Sequence, residues 1–219
     1  MATFNELAVL IAEPLGRALD VPFREQLKER IKYWRGKLMR DTLNRNPKDR
    51  AFFTQSITIP MEEASAVDCG IPLDCKLMRS KTKLPALVRA NNILFDFVGS
   101  VDHGNVFKLV KRHELPFFLK AKYQPLVTTY YAYENGYILL PHNRLMEHVT
   151  VEAIFADPEE AVEAACGGES GSCSFEDTEY PMPPDLAQQI VQYILQVDFN
   201  RPPAGDDKTE VNVNSNEKQ

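Results

Sequence analysis

TTYYAYENGYILL, residues 128–140, is the stretch on which the fold turns. Two runs of aromatic, β-branched and aliphatic residues flank Glu134, Asn135 and Gly136, and an Asn-Gly pair supplies the two positive φ angles that a type I′ turn demands. A β-hairpin is therefore expected, with residues 128–133 and 137–140 as its strands. The same period of two recurs on either side. Residues 53–59 alternate around Ile57 and Ile59. Ile93, Phe95 and Phe97 share one side of a strand with Asp96 opposite, and the turn cluster DHGN (102–105) joins that strand to residues 106–110 as a second hairpin. Residues 117–123 alternate with Lys120 and Lys122 on the polar side, and Val149, Val151, Ala153 and Phe155 mark one more strand. The middle of the chain reads as a mostly antiparallel sheet.

Both ends read as helix. Phe4, Leu7, Ala8 and Ile11 are spaced for one amphipathic helix, which Pro14 and Gly16 close. Over residues 23–46, Leu27, Ile31, Trp34, Leu38 and Thr42 recur at alternating steps of four and three, a narrow apolar seam suited to a single neighbour. Asn46 and Pro47 end that helix. Asp157 as cap, Pro158 at the first helical position and Glu160 as the return partner of a capping box start a short helix running to about Ala165. A second C-terminal helix is expected over 185–197, with Leu186, Ile190, Ile194 and Val197 as its stripe, widened by Val191 and Leu195. Its opposite side carries Gln188, Gln189, Gln192 and Gln196 instead of charges. Glutamine is far cheaper to desolvate than an ion, so this face also suits burial. The fold class is α+β. N-terminal amphipathic helices (1–48) precede a central antiparallel β domain (49–156), C-terminal helices (157–199) and an extended polar tail (200–219). The tail has too little apolar surface to offset its ordering entropy. Its alternating Val211 and Val213 suit adding a strand to a neighbour's sheet edge, so residues 203–219 are expected on another subunit or another virion protein, ordered only in the assembly.

Charge is unevenly spread. The net charge is −6, yet residues 24–50 hold ten Lys or Arg against Glu25, Glu29, Asp41 and Asp49, a local +6 within a chain otherwise at −12. Such asymmetry can set the orientation of subunits, although a solvated basic face has the same composition.

Signals for chemistry are sparse. With 44% hydrophobic residues in 219 the chain can bury a large core. Its apolar runs are too short for a membrane span, and the run 7–12 lies between Glu6 and Glu13 with no basic segment before it, unlike a signal peptide. Cys69, Cys75, Cys166 and Cys173 lack the short spacing of zinc knuckles and are expected as free thiols. His103, His113, His142 and His148 are scattered. Glu176, Asp177 and Glu179 lack the ligand alternation and glycine of a calcium loop. GGESGS (167–172) does not fit G-x-S-x-G, and no phosphate-binding loop occurs. No catalytic residue, metal or cofactor is expected.

The segments VTVEAIFADPEEA (149–161) and DTEYPMPPDL (177–186) with its following helix, together with the basic helix 23–46 and YYAYENGY (130–137), resemble the head-to-tail ring, or connector, proteins of crAss-like and related short-tailed bacteriophages. The resemblance spans roughly residues 21–199. It implies a non-enzymatic virion protein, assembled in the host cytoplasm into a ring, commonly of twelve copies, below the portal. Its partners would be its own copies, the portal, adjacent tail or ring proteins, and DNA passing through the channel without sequence specificity. The loop 166–173 has no counterpart in that pattern. The interface is expected at Leu27, Arg30, Ile31, Trp34, Lys37, Leu38 and Arg40 of the basic helix, Leu186, Ile190, Val191, Ile194 and Leu195 of the last helix, and Val211 and Val213 of the tail. The competing readings are a tail-tube or portal-associated accessory protein, a cytoplasmic nucleic-acid-binding protein using the basic helix, and a small hydrolase.

Overall fold

The computed structural model describes residues 3–64, 77–89, 93–115, 128–141, 146–166 and 179–200. Helix α1 (Phe4–Ala12) starts in a complete capping box between Thr3 and Glu6, and a 3-10 turn ends at Gly16, whose φ of 69° is the left-handed geometry a side chain would disfavour. Helix α2 (Val21–Arg45) follows, with the Asp20 carboxylate accepting from the Phe23 amide. At 25 residues α2 is a rod of about 37 Å.

Seven strands form one sheet: β1 (Gln55–Glu63), β2 (Leu77–Ser80), β3 (Phe95–Gly99), β4 (Phe107–Leu109), β5 (Thr129–Glu134), β6 (Tyr137–Pro141) and β7 (His148–Ala153). Their order is β3-β7-β1-β2-β6-β5-β4. Strand β1 pairs with β7 over Gln55 to Pro60 and with β2 over Met61 to Glu63, so it serves two neighbours in turn. The edge strands β3 and β4 meet at a single bridge, Gly99 to Val106, which brings the curled sheet close to a barrel. The β5–β6 hairpin turns through Asn135 (φ 53°) and Gly136 (φ 88°), the expected type I′ signature.

Two strand expectations are corrected. Residues 95–99 and 106–110 do not form a full hairpin: beyond the Gly99–Val106 bridge, β4 leaves β3 and pairs in parallel with β5. A bulge between Phe95 and Phe97 breaks the alternation of β3, so that Val98 faces the core while Phe97 stacks at 4.8 Å on His103. One residue inserted into a strand moves every later side chain to the other face. The strand expected over 117–123 lies outside the described residues.

Helix α3 (Pro158–Ala165) caps with Asp157, whose carboxylate accepts from the Glu159 amide at the second helical position instead of closing a box with Glu160. Helix α4 (Pro184–Tyr193) continues into a π turn, Ile194–Asp198. Helices α1, α2 and α4 share one core, built around Phe4, Ile11, Leu27, Ile31, Tyr180 and Ile190. A second core lines the sheet, with Ile59, Val98, Ile138, Leu140, Val149 and Val151. Helices α1, α2 and α4 therefore form one layer, although about 140 residues separate α2 from α4 in sequence, while Ala161 of α3 is buried in the sheet core. Cys166 is in a disulfide, which corrects the expectation of free thiols at that position; its partner lies outside the described residues, as do Cys69, Cys75 and Cys173.

Candidate assembly surface

The buried arc of α2 is wider than the seam read from its sequence. It holds Phe23, Leu27, Lys28, Ile31, Trp34, Arg35, Met39 and Leu43. A straight helix of 3.6 residues per turn drifts about 20° per heptad against a 3.5 repeat, so the core-facing line passes to Met39 and Leu43 and leaves Leu38 and Thr42 half-buried. Leu27, Ile31 and Trp34 thus pack within their own chain. So do Leu186, Ile190, Val191 and Ile194 of the last helix, with Leu195 packed against the same core.

Arg35 is the residue that sequence reasoning missed. It is fully buried, and its guanidinium donates to the carbonyls of Phe155 (3.2 Å), Ala156 (3.1 Å) and Pro181 (3.5 Å). The Tyr180 ring lies 5.6 Å away, with Phe4 stacked on that ring at 4.8 Å. Burial lowers the guanidinium pKa and raises that of the Tyr180 phenol to about 12. Phe155 belongs to the sheet core, so Arg35 fastens the helical layer to the sheet. Its position between Ile31 and Met39 on one face was the available signal, since a cation inside an apolar arc needs several acceptors.

Other cations of α2 are also taken up inside the chain. The Lys32 ammonium reaches Glu159 at 2.7 Å and Asp157 at 3.0 Å. Burial opposes its charge, but those two bonds outweigh the penalty and raise its pKa well above the usual lysine range. Lys28 meets Glu25 at 2.9 Å, and in the 3-10 turn after the helix, Pro47–Phe52, Arg50 pairs with Asp96. Arg30 bonds Asp198 at 2.9 Å and lies over the Phe199 ring, which packs edge-on against Phe23. Arg30 thus latches the π turn after α4 to α2, an internal duty the sequence did not disclose.

What remains is an outward stripe on the second half of α2 and the 3-10 turn after it. Lys37, Arg40, Arg45 and Lys48 are exposed and form no ion pair among the described residues. Lys37 lies 4.8 Å over the Trp34 ring, Trp34 stacks on Tyr193 at 5.2 Å, and Tyr33 meets Trp34 edge-on at 5.6 Å. Tyr33 is 66% exposed, and Tyr193 and Val197 are also open to solvent. Gln188, Gln189 and Gln192 of α4 are exposed as well. Aromatic residues and Arg, ringed by uncharged polar groups, compose the centres of protein interfaces more than ordinary surface.

The model of the family described as phage tail ring protein 2 matches residues 22–218. The chain belongs to that family. It is a ring protein of the crAss-like phage type, as the resemblance implied, and a structural component of the virion. No curated protein matches the sequence. For a tail ring protein, the exposed part of α2 and the outer face of α4 are the natural candidates for contact with other virion chains. Among the described residues of this ring protein no group of three or more His, Cys, Asp or Glu could hold a metal, and no helix is long and apolar enough to cross a membrane. Val211 and Val213 lie outside the described residues.

Proposed function

We propose that the chain is a non-catalytic subunit of a ring of about twelve copies in the head-to-tail connector, stacked below the portal and forming part of the DNA exit channel. The observation that carries this reading is the family match over residues 22–218, supported by Lys37, Arg40, Arg45 and Lys48, which are exposed on α2 and the turn after it and form no ion pair among the described residues. A ring closes when two different patches of one molecule meet, and a polyanion moving along its axis meets backbone charge without base readout. Self-copies, the portal and adjacent tail or ring proteins are the partners.

Mass in solution and particle imaging test the proposal. Purified protein should assemble into closed rings of about twelve, and these should sit below the portal in virions. A monomer at every concentration, absent from particles, would overturn it. Monomeric protein that binds duplex DNA with a steep salt dependence would instead support the nucleic-acid-binding reading.

A further inference from the structure

Helix α4 separates two unlike exposed surfaces. On the α2 side stands the patch of Tyr33, Tyr193, Val197 and Lys37, with Arg40 one turn further along α2. On the α1 side lies an open groove of about 310 Å³ lined by Leu7, Leu10, Met182, Ala187 and Val191. Val191 and Tyr193 are two residues apart, about 200° round the helix, so patch and groove occupy opposite flanks. Their charges are complementary. Lys37 and Arg40 carry no ion pair among the described residues, and neither do the exposed Glu13 and Asp185, each three residues, about one helical turn, from a groove-lining residue, Leu10 and Gln188. Leu10 is 52% exposed at the groove, an apolar side chain left to water in the isolated chain.

The geometry points to a second copy of this chain as the occupant of the groove: the aromatic and basic patch of one subunit seats in the acid-rimmed apolar groove of the next. This rests on the ring reading and names its joint. Patch and groove are different surfaces on opposite sides of one element, so the contact is heterologous and repeats head to tail, as a closed ring needs. The aromatic rings supply buried area in the centre, and the rim charges set orientation.

Blocking each face separately tests the pairing. Ala187→Trp fills the groove and leaves the patch intact, and Leu10→Arg does the same from an exposed position should the first variant fold poorly. Tyr33→Glu with Tyr193→Glu spoils the patch and leaves the groove intact. Each variant alone should lose rings and run as a folded monomer. Mixed one to one, they should give a species of about twice the 24.9 kDa chain mass and nothing larger, because one good patch meets one good groove. A mixture that stays monomeric, or variants that still close rings, would overturn the pairing while leaving the ring itself standing. Wild-type protein that forms no ring would overturn the ring reading and this joint together.

Discussion

Four cations in the earlier part of the basic segment 24–50, Lys28 to Arg35, and four in its later part, Lys37 to Lys48, have the same chemistry and opposite surroundings. Lys28, Arg30, Lys32 and Arg35 each find an acceptor within the chain, at Glu25, Asp198, the α3 cap and three carbonyls. Lys37, Arg40, Arg45 and Lys48 find none among the described residues. The difference is one of position along a rod. The earlier part crosses α3 and the π turn, and the later part pairs with no carboxylate among the described residues. A local +6 therefore overstates the charge this segment offers to partners, because Arg30, Lys32 and Arg50 are paired with carboxylates from outside it and Arg35 is buried.

Substitutions should separate the two halves sharply. Arg35→Leu leaves the carbonyls of Phe155, Ala156 and Pro181 without their donor, and should destabilise the fold by about 3 kcal/mol in denaturant unfolding. A loss below about 1 kcal/mol would mean that the carbonyls find water and that Arg35 is no fastener. Lys32→Ala should cost about 1 kcal/mol, since its ammonium bonds the cap of α3. Its pKa is raised in the fold, so its contribution is whole below the ordinary lysine value of 10.5 and is lost as pH rises beyond it. A urea midpoint difference between Lys32→Ala and wild type that shrinks only at strongly alkaline pH would bear this out. Arg30→Ala should cost about 0.5 kcal/mol, because its pair with Asp198 is half open to water. Arg40→Glu with Lys37→Glu should change monomer stability by less than about 0.5 kcal/mol yet abolish rings in a mass measurement. Equal destabilisation from both halves would erase the distinction.

The same contrast marks what the sequence could disclose. The Asn135–Gly136 turn was legible because its requirement, two positive φ angles, is met within four residues. The ends of α2 were legible for the same reason, since Asp20, Pro22 and Pro47 act locally. The bulge at Asp96 was not, because it depends on the register with β7, about 55 residues away. Nor was the parallel pairing of β4 with β5, where the Asp102 to Asn105 turn pointed to β3. For the surface, the basic stripe at Lys37 and Arg40 could be read from composition, whereas the internal duties of Arg30 and Arg35 required knowing that residues 155–156, 181 and 198 come to meet them. The groove was illegible because Leu10 and Ala187 become neighbours only once α1 and α4 share a core.

That shared core also sets a timetable for synthesis. The apolar arc of α2 is covered by Tyr180, Met182 and Ile190, which leave the ribosome about 150 residues after Ile31, a wait on the order of ten seconds at ordinary elongation rates. Through that interval the nascent helix has only α1, Phe53 and, later, Ile154 of its final core to shelter it. A prematurely terminated chain lacks α4, and with it one wall of the groove and Tyr193 of the patch. On the proposed pairing such a fragment would lose part of both faces of the joint at once, so only a chain translated through α4 would carry the whole patch and the whole groove.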